Sequence, residues 1–475
     1  MIAPWAKEEV ATAEIGDVRL DARAAILLSN LGTRPNLSIP AACRGRNEME
    51  AAYRFFNNKK VTFDKVLAPH VTRTRERMAE QKVVLLVQDT TEIDLTRPKQ
   101  EVVGAGALDS SRTGFLLHEM QAFTPAGIPL GTAWAEIINR TDGVAHASAK
   151  SRYERLCEPI EEKESMRWLT GLRHGRELAQ QLPNVECVCV ADSEADIYEL
   201  FAEPRGETPV HWLIRGCQDR ALESDSPAHL RDQVLAAAVL YEVDLLVRGR
   251  EPKIASDKRS RHQSRETRHA KVEVRAATVT LRAPWRADRE LPPLSVKVVL
   301  VREPNPPSGE PAVEWILVTT LPIDTPEQVR TIVEYYCVRW HIEVLFRTLK
   351  SGCRIEERRF EHVERVLPCL GLYLIVTWRT LFVCHMGRNL PDLDCEAIFE
   401  PSEWKAVWMA VYRKKPPKKA PRLKEMVHLI ASMGGYVERT TNEPGAQTIW
   451  IGIQRMYDLA WAWDAFGPEA KLPRS

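Results

Sequence analysis

The sequence predicts an α/β protein whose core is a mixed β-sheet with a β-rich insertion, flanked by helical N-terminal and C-terminal domains. Three observations predict this class. Apolar runs that end in a carboxylate, at 82–89 and 185–192, alternate with helical patterns in the middle of the chain. Residues from about 220 to 310 carry mainly short β patterns. Polar helices with Gly/Pro/Asn turns occupy the start of the chain, and Trp-rich helices occupy its end.

Composition indicates an ordinary soluble globular protein, because 44% of its 475 residues are hydrophobic and 28% are charged. The net charge of +1 gives no sign of a nucleic-acid partner, but the distribution of charge does. The segment from Arg248 to Arg275 contains ten Lys or Arg and four acids. The segment from Arg413 to Lys424 contains seven basic residues and no acid. Local patches of this kind favour binding to a polyanion, although two solvated basic loops would give the same pattern.

The cysteine pattern indicates free thiols rather than disulfides or zinc. None of the ten cysteines has C-x-x-C spacing, and Cys187 and Cys189 alternate within an apolar run, so we expect both to face a core from a strand. A reducing, cytoplasmic location follows, and MIAPWAKEEV has no apolar stretch of a signal peptide. The apolar run 367–386 contains Pro368 and Arg379, which favours a buried helix over a membrane span.

Three domains are expected, at 1–72, 73–385 and 386–475. In the first, the pattern predicts Arg-rich helices over 18–31 and 48–57, each with one apolar face toward a core and one basic face. In the third, basic and Trp-rich helices are typical either of an oligomerisation surface or of ordinary core. The second is predicted to contain strands 82–89, 185–192, 210–216 and 313–322, a hairpin formed by TGFLLHEMQAF and IPLGTAWAEII, helices 163–182 and 195–201, and the β-rich insertion at about 220–310.

Three carboxylates stand out by their position. Asp89 and Asp192 each follow a buried strand, where α/β sheets commonly place active sites, and Glu343 lies on a helix with cationic neighbours. Two aspartates and a glutamate suit two divalent ions, and hard oxygen ligands favour Mg²⁺, with Mn²⁺ as a substitute. Two such ions about 3.5–4 Å apart activate an attacking oxygen and stabilise a leaving one. Taken singly, each residue has a duller explanation: a turn cap for Asp89, a helix N-cap for Asp192, and an ion pair with Arg339 for Glu343.

The spacing of Tyr336, Arg339, Glu343 and Lys350 by three, four and seven residues predicts that all four lie on one face of one helix. A carboxylate for a metal ion, flanked by cations for phosphates, suits phosphodiester chemistry. The neighbouring acids rank lower because they are expected to fall past the strand ends: Glu92, Asp94, Glu194 and Asp196.

The complete pattern Y-x2-R-x3-E-x6-K resembles the signature of bacterial cut-and-paste DDE transposases of the insertion-sequence type. The resemblance extends over nearly the whole chain, through GDVRLDAR, AYRF, VQDTT, ADSEADIY, WILVTT and the late MGGY. It implies an RNase H-like catalytic core with a β insertion before the glutamate. It also implies an N-terminal DNA-binding domain and a C-terminal dimerisation domain.

The resemblance also implies residue roles. It makes a metal-binding triad of Asp89, Asp192 and Glu343. It assigns contacts with phosphates near the cleaved end to Tyr336, Arg339 and Lys350. Arg215 matches a DNA-contacting position, and Trp315 a tryptophan that stacks on a flipped base, although a tryptophan on a strand is equally expected in a core. Ser193 departs from the pattern, since the best-known members carry a basic residue there.

The implied function is that of a homodimeric DNA transposase acting on double-stranded DNA, without a membrane partner. It binds the terminal inverted repeats, cleaves the element ends with Mg²⁺ through a hairpin, and joins the 3′ ends to target DNA. Two alternatives remain: an RNase H-like nuclease without strand transfer, and a non-catalytic DNA-binding protein derived from a transposase. A two-carboxylate glycosidase explains neither Arg339 nor Lys350.

Overall fold

The chain folds into two compact units, residues 1–149 with 340–475, and residues 150–339. The expected domain limits at residues 72 and 385 stay a prediction. The computed structural model describes residues 2–43, 45–97, 99–140, 152–206, 210–224, 228–247, 267–310, 312–438 and 443–468.

The first unit begins with helices, and both helices predicted near the N-terminus are present. The Asp17 carboxylate accepts hydrogen bonds from the Arg19 and Leu20 N–H groups and starts the second helix. That helix buries Leu27, Leu28 and Leu31 on one side. The helices are Pro4–Glu9, Val18–Thr33, Ile39–Ala42, Arg46–Phe56 and Phe63–Ala79.

The strands of the first unit are β1 (Val83–Asp94), β2 (Gly106–Ala107), β3 (Thr113–Phe123) and β4 (Pro129–Ile138). The predicted hairpin is confirmed, because β3 pairs antiparallel with β4 and also with β1. β1 is longer than the predicted strand 82–89 and continues to Asp94, which lies opposite Gly114. The apolar run stops before Asp89, but the partner strand still supplies backbone hydrogen bonds beyond it.

The C-terminal part of the first unit contains the helices Trp340–Arg347, Val363–Asn389, Pro401–Tyr412, Leu423–Met433 and Ala446–Phe466. The helix Val363–Asn389 is long and apolar enough to span a membrane, but 83% of its most apolar window is buried inside the protein. It packs against the helices Val18–Thr33 and Phe63–Ala79. Its charged Arg379 donates a hydrogen bond to the Ile398 carbonyl at 2.7 Å. The predicted buried core helix is confirmed.

The second unit is a mixed sheet with helices. Its strands follow the spatial order β5-β6-β10-β9-β8-β7, with β5 and β6 parallel and the other pairs antiparallel. The strands are β5 (Glu186–Ala191), β6 (His211–Gly216), β7 (Val239–Val247), β8 (Arg268–Leu281), β9 (Leu294–Arg302) and β10 (Glu314–Thr319). The helices are Arg152–Cys157, Met166–Gln181, Tyr198–Ala202, Leu230–Ala236 and Pro326–Val338. The α/β class with a mixed sheet is therefore confirmed.

The β-rich insertion supplies three strands of this same sheet. β7, β8 and β9 form an antiparallel series that pairs with β10. The insertion also contains the helix Leu230–Ala236, which the pattern did not predict. Most of the basic stretch between Arg248 and Arg275 falls at 248–266, outside the described residues.

All ten cysteines are free thiols. Cys187 and Cys189 are both buried in β5, as their alternation predicted. Burial raises the pKa of Cys187 to about 11, so this thiol stays protonated near neutral pH and is a packing residue.

Candidate active site

In the first unit, Asp89 lies at the point where the buried half of β1 gives way to a half-exposed half. Its Oδ1 accepts a hydrogen bond from the Thr90 N–H at 2.7 Å. Directly across the sheet, its partner on β3 is Glu119. Asp89 is therefore inside a strand rather than after one, but it is the first carboxylate that the strand presents beyond its apolar core.

Glu343 is held by a short amphipathic helix, Trp340–Arg347, which packs against β1. Ile342 and Leu345 on this helix are fully buried, whereas Glu343 is half-buried beside them. The His341 ring packs against Phe123 of β3 with ring centroids 5.7 Å apart. Burial lowers the pKa of His341 to about 4, so this contact is made by a neutral imidazole. These contacts hold the helix that carries Glu343 against the strand that carries Asp89.

The predicted single helix through Tyr336, Arg339, Glu343 and Lys350 is wrong. One helix ends at Val338, Arg339 is a turn residue, and the next helix starts at Trp340. Lys350 lies in a π-helical turn, Thr348–Gly352. A seven-residue step returns to one face only in an α-helix, and the wider π turn breaks that periodicity.

The π turn is closed by a hydrogen bond from the Cys353 N–H to the Thr348 carbonyl at 2.8 Å. It seats Gly352 against the indole of Trp450, where an added Cβ would come within 3.0 Å of the ring. The Lys350 ammonium lies 3.5 Å from a carboxylate oxygen of Glu356. The same Glu356 accepts a hydrogen bond from the Asp94 N–H at 3.1 Å. Lys350 is thus placed near the end of the strand that carries Asp89.

In the second unit, Asp192 directly follows β5 and caps the 3₁₀ turn Ser193–Ala195. Its Oδ1 accepts a hydrogen bond from the Glu194 N–H at 2.8 Å. The capping role that the sequence left open is therefore real. It does not exclude metal binding, because a carboxylate has two oxygens and about four acceptor positions.

Four of the predicted DNA-contacting residues, Arg215, Trp315, Tyr336 and Arg339, come together in the second unit. Arg215 on β6 pairs with Leu317 of β10, so Arg215 and Trp315 are diagonal neighbours on the same face of the sheet. The rings of Trp315 and Tyr336 are 5.8 Å apart, and the Arg339 guanidinium lies 5.9 Å from the Tyr336 ring.

The pKa of Tyr336 depends on the charged side chains around this cluster. Burial raises the pKa of the Tyr336 hydroxyl, Arg339 and Arg215 oppose that shift, and Asp192 adds to it. Two guanidinium groups and a carboxylate are therefore close enough to act on one hydroxyl. Because Tyr336 stays protonated near neutral pH, its buried hydroxyl keeps a proton that can be donated in a hydrogen bond. Trp315 is half-exposed beside it, rather than buried as a core tryptophan would be.

The four lower-ranked acids have structural partners. Glu92 and Asp94 lie inside β1 rather than past it, and the Arg112 guanidinium reaches both, at 2.6 and 3.7 Å. Glu194 pairs with Arg167 at 2.7 Å. Asp196 is almost fully buried, pairs with Arg220 and accepts the Cys217 and Gln218 N–H groups. The expected position past a strand end is wrong for Glu92 and Asp94, which lie inside β1, and the lower rank of all four acids stays a prediction.

Two polar residues beside Asp89 were missed by the sequence reasoning. His118 on β3 lies 2.8 Å from the hydroxyl of Thr90, the residue after Asp89. Glu119 is fully buried, and burial raises its pKa to about 7 although it accepts a hydrogen bond from the Thr132 hydroxyl. The available signal was the polar pair inside an otherwise apolar strand, TGFLLHEMQAF.

The donor chemistry of the three carboxylates suits a divalent metal, because hard oxygen ligands prefer Mg²⁺ or Mn²⁺. Asp89 and Glu343 belong to the first compact unit, and Asp192 belongs to the second. Across the described ranges, no three His, Cys, Asp or Glu side chains are grouped closely enough to hold a metal ion. The sharing of metal ions by these three residues stays a prediction.

Three protein-family models match this chain, one after another along its length. Residues 2–61 match a model described as transposase DNA-binding. Residues 170–376 match the transposase DDE domain, and residues 375–461 match the transposase Tn5 dimerisation domain. The DDE match contains Asp192 and Glu343, whereas Asp89 lies N-terminal to it. Together the three matches cover most of the chain.

Proposed function

Because this chain belongs to the DDE transposase family, with a Tn5-type dimerisation domain, we propose that it excises its own DNA element and inserts it at a new site. The three matched domains make it a DNA transposase with an RNase H-like catalytic domain.

The N-terminal domain binds the terminal inverted repeats of the element, and two copies of the chain meet through the C-terminal domain. Residues 2–61 match a transposase DNA-binding model, and the helices there present exposed or half-exposed Arg19, Arg23, Arg46 and Arg54. Residues 375–461 match a dimerisation model. A homodimer can hold both ends of one element, which an excision reaction requires. The substrate is double-stranded DNA in the bacterial cytoplasm.

The catalytic residues are Asp89, Asp192 and Glu343, which would hold two Mg²⁺ ions or, as a substitute, Mn²⁺. Two such ions would activate the attacking oxygen and stabilise the leaving oxygen of a phosphodiester. All three carboxylates are half-exposed rather than sealed in a core. The chain carries none of the common motifs for a covalent nucleophile, so a metal-assisted direct displacement fits the residues present.

The cationic and aromatic side chains position the DNA. Arg215, Arg339 and Lys350 bind phosphates near the cleaved end, and the Tyr336 hydroxyl donates a hydrogen bond to one of them. Trp315 stacks on a base that leaves the duplex during hairpin formation, a contact worth about 1–3 kcal/mol. The half-exposed position of Trp315 next to Tyr336 supports this role.

The reaction proceeds through four displacements at phosphorus. Water first cuts one strand at the element end and releases a 3′-hydroxyl. That hydroxyl attacks the opposite strand and forms a hairpin, which water reopens. The freed 3′-hydroxyl then attacks a phosphodiester of the target DNA and joins the element to it. Each step exchanges one oxygen for another at phosphorus, so a single site serves all four.

One observation carries this proposal. In the second unit, Arg215, Trp315 and Arg339 lie around Tyr336. The charge of Asp192 also contributes to the raised pKa of the Tyr336 hydroxyl. Two phosphate-binding cations, a base-stacking ring and a strand-end carboxylate on one surface are what DNA-end chemistry requires. A nucleic-acid-binding protein without catalysis needs the cations but not the carboxylate.

The test is an in vitro reaction on DNA that carries the native ends of the element with their flanks, with and without Mg²⁺. We expect wild-type protein to yield hairpin-ended fragments and joined products, and Glu343→Gln to yield neither while binding the end DNA normally. Glu334→Gln, an exposed acid on the preceding helix, is the matched control and should react like wild type.

Each other outcome has a clear meaning. Cleavage without joined products would favour the nuclease alternative. Binding without any Mg²⁺-dependent cleavage by wild type would favour the non-catalytic DNA-binding protein. If Glu343→Gln loses binding together with cleavage, or cleaves normally, the metal-ligand role of Glu343 is wrong.

A further inference from the structure

A strongly basic loop in the C-terminal part of the chain is not used by the function proposed above. The basic loop (residues 413–424) joins the helices Pro401–Tyr412 and Leu423–Met433 and lies within the dimerisation match. It contains seven basic residues and no acid. All seven basic residues are exposed: Arg413, Lys414, Lys415, Lys418, Lys419, Arg422 and Lys424.

The charges of this loop are only partly neutralised by neighbours. Arg422 pairs with Asp392 at 2.6 Å, and Lys424 pairs with Glu443 at 3.4 Å. Among the residues that the structure describes, no acid forms an ion pair with Lys414, Lys415, Lys418 or Lys419. Four like charges on so short a segment repel one another, which costs free energy unless a polyanion lies against them.

The loop is anchored at both ends, unlike a loose basic tail. It starts at Arg413, which has a left-handed backbone with φ of 52° and donates its N–H to the Met409 carbonyl. Near its other end, the Pro421 carbonyl accepts a hydrogen bond from the Cys395 N–H at 3.1 Å, and the Leu423 N–H donates one to the Leu393 carbonyl at 2.7 Å. Pro416, Pro417 and Pro421 further restrict its backbone. Ordering such a loop on a ligand therefore costs less conformational entropy than ordering a flexible tail.

The type of side chain indicates what the loop binds. Lysine is a compact point charge that suits phosphate, whereas bidentate hydrogen bonding to base edges is best matched by the guanidinium of Arg and the amides of Asn and Gln. Lys414, Lys415, Lys418 and Lys419 form two lysine pairs separated by Pro416 and Pro417. The loop is thus equipped for the backbone of a nucleic acid and poorly equipped for its sequence.

We propose that the basic loop is a second DNA-binding element of this protein, which binds the phosphate backbone of duplex DNA irrespective of sequence. It lies outside the matched DNA-binding region at residues 2–61. Sequence-independent binding is what a target duplex requires, since the target is not defined by the inverted repeats. The inference rests on the proposed action on DNA, but it concerns binding alone and needs no catalysis.

The test compares two quadruple variants at Lys414, Lys415, Lys418 and Lys419, one with all four replaced by Gln and one with all four replaced by Arg. Binding to a short duplex of arbitrary sequence, and to a duplex of the element end, is measured over a range of salt concentrations without divalent metal. Each phosphate that the protein no longer neutralises reduces the slope of log K against log salt by about 0.9. We expect the Gln variant to reduce that slope by up to about 3.6 on both duplexes, because four lysines are replaced. The Arg variant should match wild type.

Thermal unfolding of both variants checks that the fold is intact, since all four side chains are exposed. If the quadruple Gln variant is unstable, the pairs Lys414→Gln/Lys415→Gln and Lys418→Gln/Lys419→Gln should each reduce the slope in part. An unchanged slope and affinity in the folded Gln variant would overturn the proposal. So would a weakening confined to the element-end duplex, because binding to the backbone acts on any sequence. Absence of Mg²⁺-dependent cleavage would count against the proposed transposase reaction and leave this binding result unaffected.

Discussion

At the scale of single residues, the structure shows a capping role for a carboxylate that is also a predicted metal ligand. Asp192 caps the turn Ser193–Ala195 through its Oδ1, and it is also the predicted metal ligand of the second unit. Likewise, Asp89 accepts the Thr90 N–H with Oδ1. A local backbone bond orients each carboxylate and restricts its rotamer, which is useful in a residue that has to bind an ion without rearrangement.

A single substitution separates the two roles of Asp192. Asp192→Asn keeps an oxygen that caps the turn, so we expect its stability to stay within about 0.5 kcal/mol of wild type. It removes a negative oxygen ligand, so DNA cleavage should fall by more than the roughly 10–100-fold that loss of an outer-shell metal partner costs. Urea unfolding and the cleavage assay together check this. Unchanged cleavage by Asp192→Asn would leave Asp192 as a capping residue only.

At the scale of elements, short irregular segments place the site residues. The break at Arg339 and the π turn Thr348–Gly352 divide a stretch whose spacing predicted one helix. Lys350 lies in the π turn and pairs with Glu356, which also accepts a hydrogen bond from the Asp94 N–H at the end of β1. These two contacts hold Lys350 near the end of β1. Single-turn π segments are often found at functional sites, where they shift a side chain relative to the helical register.

The start of the helix Pro401–Tyr412 makes stability depend on pH. Glu403 is buried, its carboxylate accepts the Glu400 N–H at 2.9 Å, and burial raises its pKa to about 7. The unfolded chain loses this proton near its ordinary pKa of 4.5, whereas the folded chain keeps it until about pH 7. Stability therefore falls as pH rises through this window.

Glu403→Gln removes the ionisable group but keeps an acceptor for the Glu400 N–H. We expect the variant and wild type to have similar stability near pH 5. Near pH 8 the variant should be the more stable by up to about 3 kcal/mol. Denaturant unfolding at the two pH values measures the difference. A difference of the same size at both would contradict the pKa shift as its cause.

At the scale of the whole molecule, the N-terminal helices are part of the core of the first unit rather than a detachable arm. The helix Val18–Thr33 packs on the long buried helix Val363–Asn389. Glu9 is buried beside His70 and pairs with Arg77 at 3.0 Å. Burial alone would raise the pKa of Glu9, but His70 and Arg77 outweigh it and lower that pKa to about 2. The N-terminal helices and the long helix therefore stabilise one another.

Translation from Met49 would give a shorter product, and the structure predicts its stability. Without residues 1–48 it lacks Glu9, which leaves the mostly buried Arg77 without its ion-pair partner and uncovers the face on which Leu27, Leu28 and Leu31 pack. Breaking a buried ion pair costs about 3–5 kcal/mol, and the lost apolar burial adds to this. We expect residues 49–475 to melt at a clearly lower temperature than the full chain, as measured by calorimetry. Glu9→Gln in the full chain isolates the ion-pair part, and equal melting of the truncated and full chains would contradict the packing argument.

By itself the sequence determined the α/β class, the main strands and helices, the buried long helix, the position of Asp192 directly after a strand, and that of Glu343 on a helix. These follow from periodicity and burial, which are local properties. Only the tertiary structure decided that β1 continues past Asp89, that Lys350 lies in a π turn, and that His118 and Glu119 lie beside Asp89. Those features depend on pairing with β3 and on packing against Trp450, and interactions between residues distant in the chain leave little trace in local pattern.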